Sequence, residues 1–175
     1  MIESDYLKDN ILFIDKLKKI PTLEAFSNKD LKGLLELSKI RKYESGELIL
    51  EENQYDCWVY FLVSGKIRVV KHGEDLRILK RTGDIFGEMG IIDGSPRSAS
   101  VYAMDETVCL ATDASYIDRL SGKDLTTFSS ILYRTFSEIL ANRLRLTSEE
   151  LIKTKEENER LKKLNANYKK QNALI

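Results

Sequence analysis

Residues 86–101 place an acidic and a basic side chain at opposite ends of a short connection that also contains glycines. The run reads Phe-Gly-Glu-Met-Gly-Ile-Ile-Asp-Gly-Ser-Pro-Arg-Ser-Ala-Ser-Val. The carboxylate of Glu88 can accept hydrogen bonds from hydroxyl groups, and the guanidinium of Arg97 can donate a pair of hydrogen bonds to a phosphate. Main-chain N–H groups around Gly87 and residues 98–99 would add an anion-binding concavity. These residue types predict a binding site for a ribose phosphate.

The same run resembles the phosphate-binding cassette of cyclic nucleotide-binding domains, whose pattern is roughly F-G-E-[LM]-[AG]-L, a spacer, and P-R-[AST]-A-[ST]-V. The resemblance implies that Glu88 accepts from the ribose 2′-hydroxyl and that Arg97 neutralises the cyclic phosphate. The other cassette residues that it assigns to the ligand are Gly87, Met89, Ser98 and Ala99. The alternative is a surface ion pair on a barrel turn, which would contribute about 0–1 kcal/mol. That alternative explains neither the glycines nor the Pro-Arg-Ser-Ala run.

Charge and composition exclude several classes of protein. The 28 basic and 28 acidic residues of this 175-residue chain give a net charge of zero, whereas a free-standing nucleic-acid binder is usually basic. We therefore expect no direct contact with nucleic acid. No apolar run approaches the roughly 18 residues of a membrane span, and the N-terminus lacks the pattern of a secretory signal. The expected location is cytoplasmic, with Cys57 and Cys109 reduced and buried as small apolar residues.

Catalytic chemistry finds little support in the sequence. The single histidine, His72, lies beside a glycine in an expected hairpin tip. No Cys/His cluster has zinc spacing, and neither a nucleophile elbow nor a P-loop is present. The prediction is a binding protein that has no catalytic residues, no metal site and no cofactor.

Helices are expected near the N-terminus. Apolar residues within 5–20 recur mostly at helical spacing and end at Pro21, which predicts an N-terminal helix within residues 1–20. A second helix is expected from Asn28 or Lys29 to Ile40, with Ser27 or Asn28 as its N-cap.

From Arg41 onward the pattern changes to short strands with glycine at the turns. Aromatic and β-branched residues dominate runs at 42–50, 57–63, 66–70, 76–79, 85–86, 98–102 and 107–112. Such a series predicts an antiparallel barrel or jelly roll. The expected fold class is α+β: an antiparallel β-roll or jelly roll with flanking short helices over 21–128, then a long coiled-coil helix over 129–175. Short helical stretches near 114–120 and 122–128 are expected to precede that long helix.

The last part of the chain has a heptad pattern. With Leu140 as a d position, the a positions are Leu144, Leu151, Asn158, Asn165 and Asn172, and the remaining d positions are Thr147, Thr154, Leu161, Tyr168 and Ile175. Repeated asparagine at position a favours a parallel, in-register dimer. Glu150 with Lys155 and Glu157 with Lys162 would pair between the two helices. The prediction is a parallel homodimer through residues 140–175. The alternative is a solvated charged helix with no partner.

Residues 141–149 resemble the start of the dimerising helix of bacterial catabolite-activator proteins. That resemblance implies that Thr147 hydrogen-bonds the adenine amine in its own subunit and that Ser148 reaches the base in the neighbouring one. It favours cyclic AMP as the ligand, although hydroxyl groups such as those of Ser98 and Thr147 also permit cyclic GMP. The winged helix-turn-helix of that family does not follow, so direct transcription control is not expected unless the chain is a fragment.

These features predict a non-enzymatic cytosolic receptor that binds cyclic AMP and relays occupancy through the dimer helix to an unknown effector protein. Three alternatives stay open: a scaffold or adaptor with a degenerate nucleotide module, a regulatory segment of a larger signalling protein, and a receptor for cyclic GMP or cyclic di-GMP.

Overall fold

The structure is a computed structural model that describes residues 1–7, 14, 18, 23–24, 26–115 and 122–172. These residues divide into two compact units, Met1–Thr135 and Phe136–Ile175. The strands and the two shorter helices belong to the first unit.

The N-terminal residues differ from the expected helix over 1–20. Ile2–Glu3 form strand β1, and residues 4–7 have no helical structure. β1 pairs antiparallel with the next strand of the sheet, so its main-chain groups are satisfied by non-local partners that periodicity alone does not reveal. Residues 8–13, 15–17 and 19–22, which carry most of the expected helix, lie outside the described residues.

Helix α1 spans Asn28–Glu36, and its N-terminus is as expected. Ser27 is the N-cap: its hydroxyl accepts from the Asp30 N–H at 3.2 Å, while the Asp30 carboxylate accepts from the Ser27 N–H at 3.1 Å. This reciprocal capping box satisfies two main-chain donors. The helix ends at Glu36 rather than at Ile40, because residues 38–40 pair with a strand 70 residues later in the chain. The C-terminal boundary of the prediction was therefore wrong.

Two antiparallel sheets make up the β-roll, as expected. The remaining strands are β2 Ser38–Tyr43, β3 Leu48–Leu50, β4 Trp58–Ser64, β5 Ile67–Lys71, β6 Glu74–Leu79, β7 Ile85–Phe86, β8 Ser100–Ala103 and β9 Thr107–Asp113. One sheet has the order β1-β2-β9-β4-β7 and the other β3-β8-β5-β6. Within the run at 42–50 a turn at 45–46 separates β2 from β3, and Gly46, with φ +87°, is a turn residue as expected.

The core lies between the inward faces of these sheets. It contains Tyr43, Ile49, Leu50, Tyr60, Leu62, Ile67, Leu79, Phe86, Val101, Ala103, Cys109 and Ala111. Burial raises the pKa of the Cys109 thiol to about 12, so this cysteine is an unreactive packing residue, as expected. Cys57, in contrast, is exposed. It lies in the loop just before β4 rather than inside the strand, which corrects the prediction that both cysteines are buried.

Two further helices follow the pattern only in part. Helix α2, Met89–Asp93, lies within the cassette. Helix α3 runs from Gly122 to Asn172 without interruption. It begins seven residues before the expected start at 129. Gly122 is its first residue, where glycine costs less than in a helix interior. From Leu144 to Ala166 every side chain is exposed. A coiled-coil partner for this helix stays a prediction.

Candidate functional site

The loop that follows β3 fixes the backbone of Arg97. The Asn53 N–H donates to the Arg97 carbonyl at 2.9 Å, and the Arg97 N–H donates to the Gln54 carbonyl at 2.8 Å. Asn53 has φ +68°, in the left-handed region that asparagine adopts more readily than most residues. Because both main-chain groups of Arg97 are bonded to this loop, the direction in which its side chain leaves the backbone is set by the fold.

The Arg97 side chain is buried and carries several protein contacts. It is only 3% exposed. Its Nε donates to the Asp56 Oδ2 at 3.0 Å, and its Nη2 donates to the Trp58 carbonyl at 2.5 Å. Nη2 also bonds the Asp56 Oδ1, and Nη1 bonds the Gly87 carbonyl. A buried charge is tolerated only when it is paired and hydrogen-bonded in this way.

Asp56 is a site residue that the sequence analysis missed. Its carboxylate takes two bonds from Arg97, and its Oδ1 also accepts from the Trp58 N–H at 2.8 Å. An Asp that accepts from the N–H two residues ahead forms an Asx turn, a common way to enter a strand. Nothing in the sequence links position 56 to position 97, since only the fold brings these residues together.

Gly87 is required by both its conformation and its surroundings. It has φ +82°, and a Cβ at this position would lie 2.9 Å from Arg97 Nη1 and 3.0 Å from the Trp58 carbonyl oxygen. Gly90 has a similar role inside α2, where a Cβ would lie 2.8 Å from the Ser95 carbonyl oxygen. These glycines let the two arms of the cassette approach each other, which accounts for the glycines noted in the sequence.

The remaining cassette residues lie around this arginine. Glu88 is 1% exposed, and its carbonyl accepts from the N–H groups of Ile91 and Ile92 at 3.1 Å. Met89 is 47% exposed, and its Sδ lies 3.6 Å from the Ser98 hydroxyl. Ala99 follows, half-buried, just before β8. The structure therefore brings Gly87, Glu88, Met89, Arg97, Ser98 and Ala99 into one cluster.

Thr147 and Ser148 belong to the second unit. Both lie in α3 and are exposed. Their contact with a nucleotide base stays a prediction.

Groups suited to catalysis are sparse among the described residues. In that part of the chain no three His, Cys, Asp or Glu side chains lie close enough to hold a metal ion. His72 lies in the β5–β6 hairpin turn, has 79% of its side chain exposed and lies 3.2 Å from the Glu52 carboxylate. No described helix is both long and apolar enough to span a bilayer.

Comparisons with known proteins agree with this geometry. The family model described as the cyclic nucleotide-binding domain matches residues 40–124. A cAMP-dependent protein kinase regulatory subunit of Debaryomyces hansenii is 29% identical over 112 residues, which are 64% of this chain and 25% of that protein. A cGMP-dependent protein kinase of Toxoplasma gondii is 34% identical over 83 residues, 47% of this chain and 8% of the kinase. The match thus spans a quarter or less of these relatives.

Solved structures show the same fold. A cyclic nucleotide-binding domain from Methylobacillus flagellatus superposes with a TM-score of 0.69 at 21% identity, over 79% of this chain and 82% of that one. The catabolite activator protein of Thermus thermophilus superposes with a TM-score of 0.60 at 28% identity, over 75% of this chain and 61% of its own.

Proposed function

We propose that this chain, whose residues 40–124 match the family model of the cyclic nucleotide-binding domain, is a receptor that binds cyclic AMP without transforming it. The observation that carries the proposal is the buried Arg97, held by Asp56 and by the Gly87 carbonyl in the same cluster as the buried Glu88. The matched domain type binds ligands and has no catalytic activity of its own.

The donors of Arg97 indicate how a phosphate would be received. A guanidinium has five N–H groups, and the described contacts use one at Nε, one at Nη1 and two at Nη2. The second N–H of Nη1 is not used by any of these four contacts, so a ligand could accept from it. A cyclic phosphate would take that donor or displace the Gly87 carbonyl, while Asp56 keeps the guanidinium oriented. The Glu88 carboxylate would accept from the ribose 2′-hydroxyl.

The choice of cyclic AMP rests on the relatives and on α3. The regulatory subunit of Debaryomyces hansenii and the activator of Thermus thermophilus are named for cyclic AMP or catabolite control. In this proposal Thr147 would contact the base in its own subunit and Ser148 the base in the partner subunit. Cyclic GMP is the second candidate. cGMP-dependent protein kinases are also among the relatives, and the hydroxyl groups of Ser98 and Thr147 permit either nucleotide.

The relay is the second part of the proposal. A parallel homodimer through residues 140–175 would place the base contacts on the dimer helix, so that ligand binding and helix position become coupled. An effector protein would read that change. The cytoplasmic location and the absence of enzymatic activity in the whole protein are parts of the same proposal.

Titration of the full chain with cyclic AMP, cyclic GMP and cyclic di-GMP by isothermal calorimetry tests the ligand. We expect heat with cyclic AMP, and at least about tenfold weaker binding after Arg97→Ala, because a buried charge-assisted contact contributes about 1.5–3 kcal/mol. Arg68→Ala is the matched control, since Arg68 is 45% exposed and pairs with Asp75 at 3.5 Å. Unchanged affinity in a folded Arg97→Ala variant contradicts the site. Heat with none of the three nucleotides contradicts the function.

A further inference from the structure

The N-terminal seven residues are built onto the edge of the roll. Ile2 pairs with Lys42 and Glu3 with Arg41 in the β1–β2 ladder. The ladder continues beyond β1, because the Ser4 N–H donates to the Ile40 carbonyl at 2.9 Å and the Leu7 N–H donates to the Ser38 carbonyl at 3.0 Å. This segment is therefore held along the whole of β2 up to its first residue, Ser38.

The carboxylate of Glu3 joins this segment to two cations of β2. Its Oε1 accepts from Lys39 Nζ at 2.6 Å, and its Oε2 accepts from Arg41 Nε at 2.6 Å. The two cations differ in their surroundings. Lys39 lies over the ring of Tyr6, at 4.6 Å from the centroid, within the N-terminal segment. Arg41 is the more buried of the two, with 12% of its side chain exposed against 20% for Lys39.

Arg41 reaches across the sheet to β4. Its guanidinium carbon lies 4.0 Å from the centroid of the Trp58 ring, the distance of a cation–π contact. Its Nη1 donates to the Tyr60 hydroxyl at 2.6 Å. The strand between β2 and β4 carries alanine at position 111, opposite Tyr60, where a larger side chain would occupy this space.

Both aromatic residues connect directly to the phosphate cassette. The Trp58 carbonyl accepts from Arg97 Nη2 at 2.5 Å, and the Trp58 N–H donates to Asp56. The Tyr60 ring stacks on Phe86 with centroids 5.0 Å apart and planes 8° apart. Phe86 precedes Gly87, whose carbonyl accepts from Arg97. Two short routes of packed and bonded groups therefore link Arg41 to Arg97.

We propose that Glu3 and Arg41 are positioning residues for the phosphate site. The N-terminal strand holds Arg41 in place, and Arg41 in turn keeps Arg97 in the orientation that binds the nucleotide. Glu3 fixes Arg41 against Trp58 and Tyr60, and these fix the carbonyl groups that orient Arg97. This inference rests on the proposed function. By reciprocity, bound nucleotide should tighten the pairing of residues 1–7 with β2.

The alternative is that Glu3 only stabilises the sheet edge. A matched pair of variants separates the two roles. Glu3→Gln removes the charge that pairs with both Arg41 and Lys39, whereas Lys39→Gln removes only the Lys39 pair and does not alter a contact of Trp58. If Glu3 only stabilises the sheet edge, both variants should lower stability, and neither should change the affinity for the nucleotide.

Calorimetry with cyclic AMP gives the first readout. We expect Glu3→Gln to weaken binding about fivefold, at the lower end of coupling between sites, and Lys39→Gln to leave the affinity within about twofold. Equal effects of the two variants, or unchanged affinity in Glu3→Gln, overturn the inference.

Trp58 supplies a second readout that needs no ligand, because it is the only tryptophan in the chain. In the free protein, Glu3→Gln should change the emission of Trp58 and its quenching by acrylamide, while Lys39→Gln should not. If the wild-type protein binds none of the cyclic nucleotides, the proposed function fails. The emission of the free variants still tests the positioning role of Glu3. An emission of Glu3→Gln identical to that of the wild-type protein overturns this role.

Hydrogen exchange of the wild-type protein covers the case in which Glu3→Gln does not fold. The N–H groups of Ser4 and Leu7 report the pairing of the segment with β2. Saturating cyclic AMP should slow their exchange about fivefold, by the same coupling. Unchanged exchange in a protein that demonstrably binds the nucleotide overturns the inference.

Discussion

The β-roll and the part of α3 after residue 135 satisfy their polar groups in different ways. In the roll, charged side chains such as Arg97 and Glu88 are buried, and the Arg97 contacts join residues that lie 10 to 41 positions apart. In α3 the described ion pairs are local, as between Lys162 and Glu159 at 2.9 Å, with both side chains more than 60% exposed. A substitution in the roll should therefore change the folding of this chain, whereas a substitution in α3 should change mainly its association.

The apolar side chains of α3 support the same distinction. Leu144, Leu151 and Leu161, which follow the heptad pattern, are 69%, 54% and 52% exposed. Burying a leucine contributes about 1.5–3 kcal/mol. A helix that carries this stripe would gain stability from the partner helix that the heptad pattern predicts.

Gly87→Ala should have the largest effect. The new Cβ would meet Arg97 Nη1 and the Trp58 carbonyl at about 3 Å, and φ is +82°. We expect the free energy of unfolding to fall by about 2–4 kcal/mol. Gly46→Ala is the control: its φ is +87° but nothing lies within 4 Å, so only the backbone strain of about 1–2 kcal/mol applies. Urea unfolding measures both, and equal losses would show that the close approach at Gly87 is unimportant.

Asp56→Asn should cause the second-largest loss of stability. It keeps the shape of the side chain but leaves the buried guanidinium of Arg97 without its counter-charge, so the free protein should lose about 1–3 kcal/mol of unfolding free energy. Asp75→Asn provides the comparison, because the Asp75–Arg68 pair is exposed and should contribute less than about 1 kcal/mol. A loss at Asp56 no greater than at Asp75 would contradict the role given to Asp56.

Leu151→Gln tests whether α3 has a partner. Leu151 occupies heptad position a, while the neighbouring Ile152, with almost the same exposure at 57%, occupies position b. We expect Leu151→Gln to weaken the dimer at least about tenfold in sedimentation equilibrium, and Ile152→Gln to have no such effect. Unfolding of the roll should be the same in both variants. A monomeric wild-type protein at high concentration would contradict the dimer.

Lowering the pH should have the smallest effect on stability, through protonation of the Glu3 carboxylate. Its hydrogen bond from Lys39, together with that from Arg41, holds the pKa of this carboxyl below its ordinary value of 4.5. The carboxylate therefore stabilises the fold above pH 4.5, and this contribution is lost as the pH falls below that value. The stability difference between the wild-type protein and Glu3→Gln should be constant near neutral pH and should vanish in acid. A difference that persists when Glu3 is protonated would contradict this assignment.

The cassette could be predicted because its residues are neighbours in sequence. Gly87, Glu88 and Arg97 lie within eleven positions of one another. The fold brings the Arg97 guanidinium to the Gly87 carbonyl, and the contact of these residues with a ligand stays a prediction. Asp56 could not be found in this way, since it reaches Arg97 only through the loop that follows β3. The N-terminal strand was missed for the same reason, because its partner β2 lies about 38 positions away.

Three features of this chain could be predicted from its local sequence patterns: the β-roll class, the cassette and the uninterrupted terminal helix. These depend on local spacing, on glycine at turns, and on the absence of helix breakers after Gly122. Only the folded chain shows which carboxylate holds Arg97, that Arg41 lies against Trp58, and that residues 1–7 pair with β2. Such contacts form between distant parts of the chain, and the free energy of a buried charge depends on which partners the fold brings to it.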